Sequence, residues 1–117
     1  MSILVAGGAG YIGAHVVRLL LQRGDEVIVV DDLSYGTPER VAGADLVELD
    51  VASGGAVDAL TDVMERRGVS AVIHFAARKQ VGESVARPAW YYQQNVGGLA
   101  NMLLAMEGAG VGQMIFS

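Results

Sequence analysis

Short apolar runs alternating with helix-patterned stretches predict an α/β fold, a doubly wound parallel sheet of about five strands with helices on both faces. Three observations carry this expectation. Residues 3–6, 27–30, 71–75 and 114–117 are nearly continuous apolar runs too short for helices, as strands buried on both faces are. The stretches between them place apolar residues at three- and four-residue spacing. A glycine-rich turn joins the first strand to the first helix.

The elements follow in order. Residues 3–6 end at Gly7 and form the first strand. A helix over 11–22 carries Ile12, Val16, Leu19 and Leu20 on one expected face and stops at Gly24. The second strand closes on Asp31-Asp32, and Ser34-Tyr35-Gly36-Thr37-Pro38 has the chemistry of a turn. Residues 45–49 read as a third strand and 56–67 as a helix, with Val57, Leu60, Val63 and Met64 as its apolar positions. After the fourth strand a longer helix opens at Pro88, a favoured first-turn residue, and runs to near Gly108. The final run, 114–117, predicts a fifth strand at which the sheet is truncated.

Bulk properties narrow the function classes. At 117 residues one domain is expected, and 52% apolar residues can build a core. The formal net charge is -5 with no basic run, which argues against a nucleic-acid or anionic-membrane partner. No cysteine is present, so disulfides and thiolate metal sites are excluded. No apolar run approaches the roughly 20 residues of a membrane span. The N-terminus enters a strand pattern without a basic leader, so a soluble cytoplasmic protein is expected.

The chemistry begins at Gly7-Gly8-Ala9-Gly10-Tyr11-Ile12-Gly13. Glycines here permit a tight turn, let backbone amides approach a pyrophosphate and bring helix close to strand. The helix N-terminus at Tyr11 and Ile12 then faces negative charge. Glycine patterns are common in loops, but this one follows a strand, opens a helix, and precedes an acid at the end of the next strand. Asp31 follows Gly13 at close to the spacing of about 20 residues expected of a ribose-binding carboxylate. Together these predict a Rossmann-type dinucleotide site. Asp31 would accept ribose hydroxyls and repel a 2′-phosphate; Asp32 adds a second negative charge, and no arginine neighbours the pair in sequence. NAD is therefore expected over NADP.

Two further stretches lie at carboxyl ends of strands, where such folds place ligands. Asp50-Val51 closes the third. Phe75-Ala76-Ala77-Arg78-Lys79 closes the fourth, with small residues and two cations suited to a phosphate; Lys79 is the only lysine of the chain. Asn95, within the long helix, reads as a ligand-facing amide. His74 reads as a hydrogen-bonded histidine at a strand end, and Trp90, Tyr91 and Tyr92 as packing residues.

These runs, with Val81-Gly82-Glu83-Ser84 and Asn95-Val96-Gly97-Gly98, resemble the extended short-chain dehydrogenase/reductase family over the whole chain and in the same order. The resemblance is strongest to members that epimerise a UDP-hexose; nucleotide-sugar 4,6-dehydratases and a non-catalytic NAD-binding fragment are the alternatives. It implies that Tyr11-Ile12 lie over the pyrophosphate and that Asp31, Asp32, Leu33, Ser34, Tyr35 and Gly36 surround the adenosine ribose. It also implies that Asp50-Val51 contact adenine, that Phe75 through Lys79 and Asn95 line the rest of an NAD site, and that Gly7, Gly10 and Gly13 form the loop. Ala6 and Asp32 stand where relatives usually have threonine and asparagine. The family uses a Tyr-x-x-x-Lys pair with a serine, and here none of Tyr11, Tyr35, Tyr91 and Tyr92 has lysine four residues on. The expectation is therefore a NAD-binding portion lacking its catalytic pair and its UDP-sugar domain, inactive alone, from a homodimer that uses the helix containing Tyr91 and Met102.

Overall fold

All of the expected strands form. The computed structural model describes residues 1–117. Five strands, β1 (Ser2–Ala6), β2 (Glu26–Asp31), β3 (Asp45–Glu48), β4 (Ala71–His74) and β5 (Met114–Phe116), alternate with α1 (Tyr11–Arg23), α2 (Ala56–Arg67), α3 (Val81–Ala86) and α4 (Pro88–Ala109). The strands make one parallel sheet in the order β3-β2-β1-β4-β5. The chain winds outward from β1 to β3, then returns to the other side of β1 at β4. That reversal opens a crevice at the carboxyl ends of β1 and β4.

Strand residues alternate between two cores, because successive side chains point to opposite faces. Leu4, Ala6, Ile28, Val30 and Val72 pack with Leu60 and Met64 of α2 and Met102 and Met106 of α4. Ile3, Val5, Val27 and Val29 pack with Val17 of α1 and with Val41. The sheet is thus covered on both faces, as expected. Leu60 and Met102 are fully buried, and truncating either to alanine would cost about 2–5 kcal/mol.

One local expectation is corrected. The buried face of α1 is Gly13 and Val17, with Leu20 and Leu21 alongside; Ile12 and Leu19 are exposed. Gly13 sets this rotation, since a Cβ there would lie 2.4 Å from the Gly7 carbonyl oxygen, so only a glycine face can lie on the loop. Two short elements carry too little periodicity to read in advance: α3, and a 3-10 turn at Pro38–Val41. On α4, Tyr91 and Met102 are buried within the chain, and the exposed apolar residues are Tyr92, Val96, Leu103 and Leu104. No helix is long and apolar enough to cross a membrane.

Candidate functional site

A cleft of about 380 Å3 occupies the crevice between the halves of the sheet. Its floor is the turn from β1 to α1, lined by Gly7, Gly10, Tyr11, Ile12 and Gly13. Gly7 has φ 79°, and a Cβ there would meet the Ala76 nitrogen at 2.8 Å; the turn and the β4 loop touch backbone to backbone. α1 begins with no acidic side chain in its first turn, and its first intrahelical bond is donated by the Ala14 N–H to Gly10. The amides of Tyr11, Ile12 and Gly13 therefore precede the hydrogen-bond ladder and carry the positive end of the helix dipole.

One wall follows β2. Asp31 accepts the Ala9 N–H at 3.0 Å and the Leu33 N–H at 2.8 Å, so its carboxylate ties the glycine turn to the next loop. Each oxygen retains a lone pair for a ligand. Asp32, Ser34, Tyr35 and Gly36 also line the cleft. Leu33 does not: its side chain packs against the α1 core, and its contribution is a backbone at φ 61° held by the bond to Asp31. From β3 come Asp50 and Val51; Asp50 caps the turn by accepting the Ala52 N–H at 2.9 Å.

The other wall is the β4 loop, Phe75 through Lys79, with Asn95 from α4. The Asn95 amide grips the Arg78 peptide from both sides, accepting its N–H at 2.7 Å and donating to its carbonyl at 3.1 Å. Tyr91 fixes the next turn: its hydroxyl accepts the Gln80 N–H at 2.9 Å and donates to Glu83 at 2.8 Å. Burial, together with the carboxylate beside it, pushes the Tyr91 phenol up.

The two cations expected at this edge differ in what they touch. Arg78 donates to Asp32 at 2.6 Å, to the Ser34 hydroxyl at 2.7 Å and to Gln94 at 3.3 Å. Sequence neighbours put no arginine by the two acids, yet the fold brings one from 46 residues away. Burial alone would raise the Asp32 carboxyl; the Ser34 hydrogen bonds and the Arg78 guanidinium outweigh it and hold the group below its ordinary range. Lys79 forms no ion pair and is the free cation of the cleft.

His74 is buried below the loop, stacked on Phe116 at 5.9 Å. Its Nδ1 has no partner, so it is not the fully hydrogen-bonded histidine expected. Tyr91 packs as expected, whereas Tyr92 stands in solvent and the Trp90 ring has the guanidinium groups of both Arg78 and Arg87 against it. The sequence reading missed Val30, Leu49, Gln80 and Gln94, which also line the cleft. A polar run, Gln93-Gln94-Asn95, inside an otherwise apolar helix was the available signal.

A cleft at the topological switch, a helix N-terminus at its floor and a ribose-competent acid on one wall describe a dinucleotide site. The family comparison decides the lineage: the model of the NAD dependent epimerase/dehydratase family matches residues 3–117. The chain belongs to this family. It is 47% identical to a UDP-glucose 4-epimerase of Erwinia amylovora, covering 100% of this chain and 36% of that protein. Against a UDP-glucose 4-epimerase of Klebsiella pneumoniae the identity is 42%, over 100% of this chain and 88% of the relative. The crystal structure of UDP-glucose 4-epimerase from Brucella ovis in complex with NAD superimposes with a TM-score of 0.91 at 43% identity, covering 98% of this chain and 34% of that one. This chain thus spans about a third of the Erwinia and Brucella proteins. The similarity favours an epimerase lineage over the 4,6-dehydratase alternative.

Proposed function

We propose that this chain is the NAD-binding portion of an enzyme that interconverts UDP-galactose and UDP-glucose through a 4-keto sugar. The observation that carries the reading is the cleft itself, where Gly7, Asp31 and the β4 loop converge within one cavity. The backbone contacts at Gly7 and Gly13 leave no room for a side chain, so the turn presents bare backbone to the cleft, which suits a dinucleotide. In this reading the amides of Tyr11 and Ile12 hold the pyrophosphate, Asp31 binds ribose hydroxyls, and Asp50-Val51 border the adenine. Lys79, with Phe75 to Ala77, serves the remaining half. When bound, NAD supplies the hydride acceptor and donor of the reaction.

In this reading the residues of this chain bind and orient, and none moves the proton of a sugar hydroxyl. The only lysine, Lys79, has Phe75 four residues before it, and a phenyl ring cannot take a proton. We assign the Tyr-x-x-x-Lys pair and the UDP-sugar domain to sequence outside these 117 residues, and regard the complete enzyme as a cytoplasmic homodimer. The exposed Tyr92, Val96 and Leu103 of α4 support an interface on that helix. Calorimetric titration with NAD tests the binding role, and absence of binding at millimolar cofactor would refute it. Incubating the chain with UDP-galactose and NAD tests the division of labour: no UDP-glucose is expected, and turnover near 1 per second or faster would place the chemistry within these residues.

A further inference from the structure

Asp32 and Arg78 meet across the cleft in a way that the cofactor assignment alone does not require. Arg78 has its backbone clamped by Asn95 and its guanidinium occupied by Asp32, Ser34 and Gln94, while the centre of the Trp90 ring lies 5.3 Å from the guanidinium carbon. Ser34 completes the arrangement by donating its hydroxyl to the other Asp32 oxygen at 2.7 Å. Both side chains are largely shielded, with relative exposures of 15% and 27%. Arg78 thus reaches from the β4 loop across the cleft to the residue that follows Asp31, on the wall assigned to the ribose. An arginine at that place is the usual means of holding a 2′-phosphate, and its planar fork matches a phosphate bidentately.

We propose that Asp32 sets cofactor choice by neutralising Arg78: with the pair intact the guanidinium is occupied, and without the Asp32 charge it becomes a binder of dinucleotides carrying a ribose 2′-phosphate. This rests on reading the cleft as a dinucleotide site. It differs from direct repulsion by Asp32, because the discrimination then depends on a residue 46 positions away. Asp32→Asn is the informative change: it keeps an acceptor for the Ser34 amide and hydroxyl while removing the charge that holds Arg78.

Calorimetric titration of NAD and NADP into the chain, Asp32→Asn, and Asp32→Asn/Arg78→Gln tests the inference through the ratio of the two dissociation constants. Because each ratio is internal to one variant, a general loss of affinity or stability cancels. The parent chain is expected to favour NAD. Asp32→Asn should reduce that preference at least tenfold, and the added Arg78→Gln should return most of it. An unchanged preference in Asp32→Asn overturns the inference. So does an equal reduction in the double variant, since Asp32 would then act by its own charge. NAD binding in either of those results leaves the cofactor reading standing; a parent chain that binds neither dinucleotide removes both.

Discussion

The Asp31 carboxylate accepts the Ala9 N–H at 3.0 Å across 22 residues of chain, joining the acid that ends β2 to the glycine turn after β1. The same group that is assigned to the ribose therefore also shapes the floor of the cleft. Asp31→Ala should weaken NAD binding by about 1–3 kcal/mol through lost ribose hydrogen bonds and narrow its margin over NADP. It should lower the melting temperature too, because the Ala9 and Leu33 amides lose their acceptor. Calorimetry with a thermal melt reads both effects. NAD affinity within twofold of the parent would remove Asp31 from the site.

Gly7 tests the backbone side of the same floor. Its positive φ and its approach to the Ala76 nitrogen leave no place for a methyl group. Gly7→Ala should cost on the order of 1–3 kcal/mol from backbone strain alone, more if the β4 loop is pushed away. Since that loop carries Ala76 through Lys79, NAD affinity should fall with stability. Urea denaturation and a cofactor titration of the same sample would show it. A variant as stable as the parent would mean that the two loops separate freely.

His74 predicts a pH dependence. Burial disfavours its charged form and lowers its pKa, with the nearby Ala76 backbone opposing. Below the ordinary imidazole value of about 6.5 the unfolded chain takes up a proton that the folded chain resists. The stabilisation is complete above that pH and declines as pH falls through it. Denaturation midpoints at pH 7.5 and 5.5 should differ, and His74→Phe, which keeps a ring against Phe116, should shrink the difference. An identical decline in the variant would assign it to other groups.

Most of the cleft was legible because the pattern of strand, glycine turn, helix and acid is local, and local chemistry is what sequence spacing records. The strand cores followed for the same reason: Leu4 and Ile28 sit in runs with no polar face. What escaped depended on contacts distant in the chain. The rotation of α1 is set by Gly13 against the Gly7 carbonyl, a steric fact that outranks the apolar stripe at Ile12 and Leu19. The Asp32–Arg78 pair joins two loops that only the sheet order brings together. Leu33 at φ 61° occupies a conformation that its side chain does not announce, since the Asp31 bond imposes it.

The outer edge of β5 yields the last prediction. β4 pairs one side of this strand, through Val72 with Met114, Ile73 with Ile115 and His74 with Phe116, and no strand of the chain pairs the other. Met114 turns toward the α2–α4 core, whereas Ile115 and Phe116 are 64% and 63% exposed. An uncharged, apolar strand with free backbone groups is a template for another chain, and edges are ordinarily protected by a charge, a bulge or a covering element. The isolated 117-residue chain should therefore self-associate as concentration rises. Ile115→Lys should suppress this, since it adds charge at the edge without disturbing Met114 or the His74–Phe116 stack. Light scattering across a concentration series compares the two. A parent chain that stays monomeric throughout would show that the edge is protected as it stands. Equal association in Ile115→Lys would move the contact to another surface, with the exposed residues of α4 next to be tested.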